Sequence, residues 1–120
     1  MRPLILFRGS SPALERELPT SGHLTSPNYP GRYPNDYDSV QKIQVPEGNT
    51  IRIRFTDFEC ERQFDPVTII DKDGTRLGLF DGREDDWRKE ILSNTDTVEV
   101  DFHTDESRIF KGWRLTWGEY

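Results

Sequence analysis

Apolar and polar residues alternate along residues 51–56, and this alternation limits the possible folds more than any other feature of the chain. The apolar positions are Ile51, Ile53 and Phe55, and the position after each of them holds an arginine, an arginine and a threonine in turn. Successive side chains of a β-strand point to opposite faces, so this segment is typical of a strand with one buried and one solvated face. The rest of the chain must therefore supply a second layer that covers the apolar face.

Several other short segments show the same alternation, separated by Gly, Pro, Asn and Asp. Residues 67–70 and 75–80 flank the turn Asp71–Gly74 and predict a hairpin, because the Asp-Gly pair supplies the positive φ that a tight turn requires. No segment has the period of an amphipathic helix. We therefore predict an all-β chain, an antiparallel β-sandwich from about Gly22 to Trp117. The side chains expected to face inward are Ile53, Phe55, Val100, Phe102, Trp113 and Leu115.

The chain has 120 residues, enough for one domain with a modest core, and we predict a single domain over residues 21–120. Residues 1–20 are rich in Arg, Pro, Ser and Glu and are expected to form a flexible lead. Leu4–Phe7 is too short for the apolar core of a signal peptide or for a membrane span. The formal net charge of −6 disfavours a nucleic-acid binder, which would carry a clustered basic surface.

The residues that usually carry catalysis do not form a recognisable site. His23 and His103 are not spaced as zinc ligands, and Cys60 stands between two glutamates, which raise rather than lower the pKa of a thiol. We expect Cys60 to be a buried, unpaired core residue. Among 22 acidic residues, carboxylate pairs occur by chance, so a glycosidase pair is disfavoured. The domain is therefore predicted not to be an enzyme.

Three acidic residues lie near the ends of predicted strands. Glu61 follows one strand, Asp65 precedes the next, and Asp105 follows the strand 98–103. Strand ends meet at one edge of a sandwich, where three carboxylates would repel one another unless a hard cation such as Ca²⁺ lay between them. The spacing alone favours a solvated acidic edge, and a calcium site is the alternative.

Six segments, in this order, together resemble the CUB domain family. The first segment, residues 22–35, contains a Ser-Pro-Asn-Tyr-Pro run followed by Tyr-Pro-Asn. The fourth, residues 64–69, has Phe-Asp before a strand, and the fifth, residues 102–107, has a Phe-x-Thr-Asp-x-Ser run. Each motif is weak alone, but their order covers nearly the whole predicted domain and implies the family's jelly-roll sandwich. The segments are residues 22–35, 43–48, 51–58, 64–69, 102–107 and 111–115.

The resemblance implies a calcium site and a mode of binding. The ligand positions of the family's calcium-binding members fall on Glu61, Asp65 and Asp105, with backbone oxygens around Ser107, and Tyr33 falls beside the site. The implied function is calcium-dependent protein recognition outside the cell. A partner's Lys or Arg would reach the outer carboxylate oxygens, and Tyr33 would pack on its stem. A homodimer or heterodimer is compatible with this function.

The chain departs from the family at its cysteines. The usual four, in two disulfides, are missing, and Cys60 matches none of them. The first pair is also absent from the first CUB domain of the complement subcomponent proteases and the mannose-binding-lectin-associated serine proteases. Arg62 and Asp81 stand near the positions of the second pair, and the loop between Glu61 and Asp65 is shorter than usual.

Two other functions remain as alternatives. One is a structural or dimerisation module that works without calcium. The other is a carbohydrate-binding sandwich in which Trp87, Trp113 and Trp117 stack on sugars. The alternation predicts core positions for Trp113 and Trp117, and Trp87, in a charged segment, is expected to be the most exposed aromatic residue.

Overall fold

A computed structural model describes residues 18–62, 64–81 and 83–120. Eight strands and one 3₁₀ segment, Arg83–Arg88, are present, and no α-helix occurs within these ranges. The strands are β1 (Ser21–Thr25), β2 (Asp38–Gln44), β3 (Ile51–Glu59), β4 (Val67–Asp71), β5 (Arg76–Phe80), β6 (Ile91–Leu92), β7 (Thr97–His103) and β8 (Gly112–Glu119). None of the described residues forms a helix long and apolar enough to cross a bilayer.

The strands form two antiparallel four-stranded sheets, in the orders β1-β8-β3-β6 and β2-β7-β4-β5. The prediction of an all-β antiparallel sandwich is confirmed, and the predicted hairpin is the β4–β5 pair. The lead predicted for residues 1–20 falls mostly outside the described residues, so the proposed domain boundary stays a prediction.

Aromatic rings join the two sheets in the core. Phe55 lies 5.4 Å from Phe80, and Phe102 lies 5.8 Å from Trp113, in edge-to-face contacts between ring centroids. Such contacts stabilise the core beyond the area they bury. All six residues predicted to face inward are at most 2% exposed.

The backbone at Gly112 explains why the closing segment needs a glycine before Trp113. Gly112 has φ +91°, and a Cβ there would lie 1.8 Å from Oγ of Ser26. That hydroxyl is buried and accepts a hydrogen bond from the backbone N–H of Trp113 at 3.0 Å. A larger residue would be strained and would displace this contact.

The prediction for Trp87 is wrong. Trp87 is partly buried in the 3₁₀ segment and stacks on Phe58, with 6.2 Å between ring centroids, and the guanidinium of Arg88 covers it at 4.3 Å. Phe64 and Tyr120 are the exposed large aromatic residues of the described chain. Trp113 is fully buried and Trp117 partly so. A sugar-stacking platform built from these three tryptophans therefore does not fit the fold.

Candidate metal centre

Glu61, Asp65 and Asp105 meet at one end of the sandwich. Glu61 lies two residues after β3, Asp65 two residues before β4, and Asp105 two residues after β7. One carboxylate oxygen from each lies within 4.8 Å of the other two. Because β3 belongs to one sheet and β4 and β7 to the other, this acidic cluster joins the two layers.

Hydrogen bonds hold the acidic cluster in place before any ligand binds. The hydroxyl of Tyr33 donates to Oδ2 of Asp65 at 2.6 Å, and the backbone N–H of Asp105 donates to Oδ1 of Asp65 at 2.9 Å. The backbone N–H of Glu61 donates to the Tyr33 hydroxyl at 3.1 Å. Each bonded carboxylate oxygen keeps a further lone pair for a cation.

The electrostatics of the cluster disfavour three free carboxylates. Burial raises the pKa of Asp65, which is fully buried, and the nearby charge of Asp105 raises it further. Burial also raises the pKa of Glu61, and Asp105 and Asp65 add to that shift. Desolvation and like charges both disfavour the ionised form, and a bound cation would reverse both effects.

Glu61 provides the test of whether these residues suit a metal ion. The residue is only 9% exposed, and its Oε1 is buried without a hydrogen-bond partner. The other oxygen, Oε2, lies 3.8 Å from Nε of the exposed Arg108. An unpaired buried carboxylate oxygen is costly, so an oxygen-binding cation is the partner that fits it. The donors are all oxygens, the ligand type that Ca²⁺ prefers.

The loop of residues 28–37 fixes the position of Asp105. The carbonyl of Asp105 accepts a hydrogen bond from the backbone N–H of Asp36 at 2.8 Å. Next to it, the buried hydroxyl of Thr104 donates to the carbonyl of Pro34 and accepts from the N–H of Tyr37, both at 2.8 Å. Sequence reasoning missed Thr104, although a small hydroxyl residue between a strand and a candidate ligand was a usable signal.

The structure places the remaining predicted site residues as follows. Ser107 is exposed and its backbone N–H donates to Oδ1 of Asp105 at 3.1 Å, while a ligand role for its carbonyl stays a prediction. Tyr33 is fully buried, which leaves no ring surface for a partner's side chain to pack on. Its predicted contact with a partner is therefore corrected: Tyr33 lies behind the carboxylates and orients them.

An open, acidic depression of about 400 Å³ adjoins the cluster. It is lined by Asp36, Asp38, His103 and residues 104–107. Nδ1 of His103 lies 2.6 Å from Oδ1 of Asp38 at its rim. A basic side chain entering this depression would meet carboxylates on several sides.

Cys60 lies beside the cluster but does not contribute a reactive group. It is buried and free, as predicted, and burial raises the pKa of its thiol, with the charge of Asp65 adding to the effect. A nucleophilic cysteine needs the opposite shift, because the thiolate is the reactive form.

Comparison with known proteins identifies the relatives of this fold. The family model of the CUB domain matches residues 16–117. Mouse complement C1r-A subcomponent is 32% identical in an alignment of 116 positions that covers 89% of this chain and 16% of that protein. The chain spans between 3% and 19% of the length of five curated relatives that it matches.

Solved structures give the same result. The CUB1-EGF-CUB2 domain of human MASP-1/3 superposes with a TM-score of 0.77 at 28% identity, over 85% of this chain and 42% of that one. The crystal structure of the MASP-1 CUB2 domain bound to Ca²⁺ superposes with a TM-score of 0.75 at 26% identity, over 83% of this chain and 93% of that one.

Proposed function

The chain belongs to the CUB domain family, non-catalytic protein-interaction modules of extracellular proteins, and on this basis we propose that it is a calcium-dependent recognition module. Calcium would be held by Glu61, Asp65 and Asp105, with backbone oxygen from the loop at Ser107. The observation that carries the proposal is the buried Oε1 of Glu61, which has no hydrogen-bond partner within a cluster of three carboxylates. The Ca²⁺-bound MASP-1 CUB2 domain supports the choice of ion.

In this proposal calcium does no chemistry. It would neutralise the repulsion among the carboxylates and tie the loop 104–108 to the ends of β3 and β4. The partner would be another extracellular protein that presents a Lys or Arg to the outer carboxylate oxygens. The neighbouring depression, with Asp36, Asp38 and Glu106 on its walls, supports a basic partner by charge.

Titration calorimetry tests the metal site. Chelator-treated wild-type protein should bind one equivalent of Ca²⁺, with a dissociation constant on the order of 10⁻⁴–10⁻³ M for an extracellular module. Glu61→Gln should remove the heat of binding, and Glu106→Gln, at an exposed acidic neighbour, should not. If wild type takes up no calcium, or if both variants behave alike, the site is absent and a calcium-independent module is the better interpretation.

Partner chemistry is tested with a small probe. Nα-acetyl-lysine methylamide, titrated into labelled protein, should shift the amide resonances of residues 104–108 only when calcium is present. The methylamide of Nα-acetyl-norleucine, which lacks the ammonium group, should shift none of them. Equal shifts with and without calcium would contradict the calcium-dependent role.

A further inference from the structure

The outer face of the sheet β1-β8-β3-β6 carries a group of arginines, two of which lie in the half of β3 away from the acidic cluster. Ile53 and Phe55 of β3 face the core, so Arg52 and Arg54 point outward, with 48% and 63% of their side chains exposed. On the adjacent β8, Leu115 faces the core and Arg114 therefore lies on the same outer face. We call these three residues the arginine face.

The arginine face has more positive charge than its carboxylates neutralise. Oε2 of Glu90 lies 3.1 Å from Nε of Arg52 and 3.7 Å from Nη2 of Arg54, so one carboxylate serves two guanidinium groups. Nη1 of Arg114 donates to the hydroxyl of Thr56 at 3.2 Å, and no carboxylate of the described residues pairs with it. Within this group, three cations against one anion leave a local excess of two positive charges, on a chain whose net charge is −6.

The adjacent Asp57 does not reduce this excess. Its Oδ2 lies 3.0 Å from Nζ of Lys111 and accepts a hydrogen bond from the hydroxyl of Tyr29 at 2.5 Å. Asp57 and Lys111 therefore form a neutral pair at the edge of the arginine face. The exposed Glu59, further along β3, adds one negative charge beside Lys111. The guanidinium of Arg52 already lies 4.5 Å over the Tyr120 ring, so Arg54 and Arg114 are the charges most available to a ligand.

The chemistry of the face fits an anionic sugar polymer better than a protein. Residues two apart on a strand are separated by about 7 Å, and each guanidinium can bind a sulfate through two parallel hydrogen bonds. Thr116, the cross-strand partner of Arg54, adds a hydroxyl residue to the same face, while the hydroxyl of Thr56 already donates to the carbonyl of Arg114. Protein interfaces have an apolar core, whereas the exposed apolar residues here, Leu92 and Tyr120, lie on one side of the face, against Arg52, and leave Arg54 and Arg114 without an apolar centre between them.

A depression beside Arg54 adds a recess to the otherwise flat face. Its volume is about 270 Å³, and its walls include Thr56, Trp87, Arg88 and Glu90. The guanidinium of Arg88 lies over the Trp87 ring, so a second arginine borders the recess. Its size suits a sulfate group or part of a sugar ring.

We propose that the arginine face binds a sulfated polysaccharide, independently of calcium. The acidic cluster at the far end of β3 repels the same polymer, so the polysaccharide is confined to one face and leaves the calcium end accessible. This site would hold the module on a sulfated matrix while the calcium end engages a protein partner.

Binding to immobilised heparin, measured by surface plasmon resonance in chelator, tests the proposal. Arg54→Gln/Arg114→Gln should weaken the affinity about 100-fold, since each lost contact between charged groups is worth roughly tenfold. The control Lys42→Gln/Arg76→Gln removes the same charge from exposed positions of the other sheet, and it should change the affinity for heparin less than threefold. Affinity should fall steeply with salt, as counterion release requires, and poly-glutamate should bind far more weakly than heparin.

Four outcomes would overturn the proposal. They are absence of heparin binding by the wild type at low salt, equal losses in the two double variants, equal affinity for poly-glutamate, and a requirement for calcium. Urea unfolding of both double variants checks that each is folded, and the single variant Arg54→Gln replaces the double variant if that one is not. The variant Glu61→Gln tests the metal site separately. It should lose calcium binding and keep the wild-type affinity for heparin.

Discussion

The hydroxyl of Tyr33 lies 2.6 Å from Oδ2 of Asp65, and both residues are completely buried. The same hydroxyl accepts a hydrogen bond from the backbone N–H of Glu61. Burial raises the pKa of Tyr33, and the bond to Asp65 adds to that shift, so the phenol remains a protonated donor. One tyrosine thus holds the carboxylate of Asp65 and the backbone of Glu61 together.

Replacing this tyrosine should affect both stability and calcium binding. In Tyr33→Phe, one oxygen of the buried Asp65 carboxylate and the N–H of Glu61 lose their partner. We expect the free energy of unfolding to fall by about 1–3 kcal/mol, the typical cost of leaving a buried polar group unsatisfied. Urea unfolding in chelator measures this loss, and calorimetry should show weaker calcium binding as well.

Tyr37→Phe is the matched control. Tyr37 lies in the same loop and its ring contacts Phe102, but among the described residues its hydroxyl has no hydrogen bond. The control should lose little stability and no calcium affinity. If the two variants lose equal stability, the Tyr33 hydroxyl does not orient the acidic cluster.

Asp105→Ala should abolish the stabilisation by calcium. Its loss removes one ligand and also the contact of Oδ1 with the N–H of Ser107, so the loop that would supply backbone oxygen loosens. At about 100 times the dissociation constant, calcium should add roughly 2.7 kcal/mol to wild-type stability by mass action, and nothing to the variant. Thermal unfolding across the millimolar calcium range measures both. A wild-type melting temperature that does not change with calcium would contradict the metal site.

Glu61→Gln should have opposite effects with and without calcium. Because the folded-state pKa of Glu61 is raised, its ionised form at pH 7 opposes folding when no cation is bound. In chelator the variant should therefore melt at a higher temperature than wild type, and in saturating calcium at a lower one. Glu106→Gln should show no such reversal. A lower melting temperature in both conditions would mean that the carboxylate has a purely structural role.

Most of the fold could be predicted because its strands are local patterns. Alternation in residues 51–56 and 98–102 specifies which side chains face the core, and the Asp-Gly turn specifies the β4–β5 hairpin. The acidic cluster could also be predicted from the strand ends, because Glu61, Asp65 and Asp105 each lie two residues from a strand.

The remaining features depend on contacts between distant parts of the chain. Tyr33 is buried because it packs edge-to-face on Phe102, 69 positions later, at 5.2 Å between centroids. Trp87 is covered because its segment folds back onto Phe58 of β3. The residues next to Tyr33 and Trp87 in the sequence do not indicate either contact. Their positions in loops therefore wrongly indicated that both side chains are exposed. The charges of the arginine face were visible in the alternation, but the neighbouring position of Arg114 required the register of β8.

Asp57 provides a pH-dependent contribution to stability. Burial acts to raise its pKa, but hydrogen bonds from Tyr29 and Lys111 outweigh burial and hold the pKa below its usual value. A depressed pKa means that the stabilisation is complete above the unfolded-state pKa of about 3.9 and is lost as the pH falls through the lower folded-state pKa.

Asp57→Asn should therefore be less stable than wild type at pH 7, by less than about 1 kcal/mol because the ion pair is partly exposed and screened. The difference should shrink as the pH is lowered below about 4. Urea unfolding at pH 7, 4 and 3 measures it, and Glu47→Gln, at an exposed turn, serves as the control. A difference that is constant over this range would contradict the assignment.

Cys60 should report on the opening of the fold, and calcium should slow that opening. The thiol is 7% exposed and its pKa is raised by burial, so a thiol reagent reacts only after the protein unfolds around it. When reclosing is fast, the labelling rate follows the population of the open state. Calcium at about 100 times its dissociation constant should therefore slow labelling of the wild type by about 100-fold. Asp105→Ala should be labelled at the same rate with and without calcium. Labelling of native wild type as fast as that of urea-unfolded protein would show that Cys60 is accessible, and an unchanged wild-type rate in calcium would show that no metal is bound to the folded state.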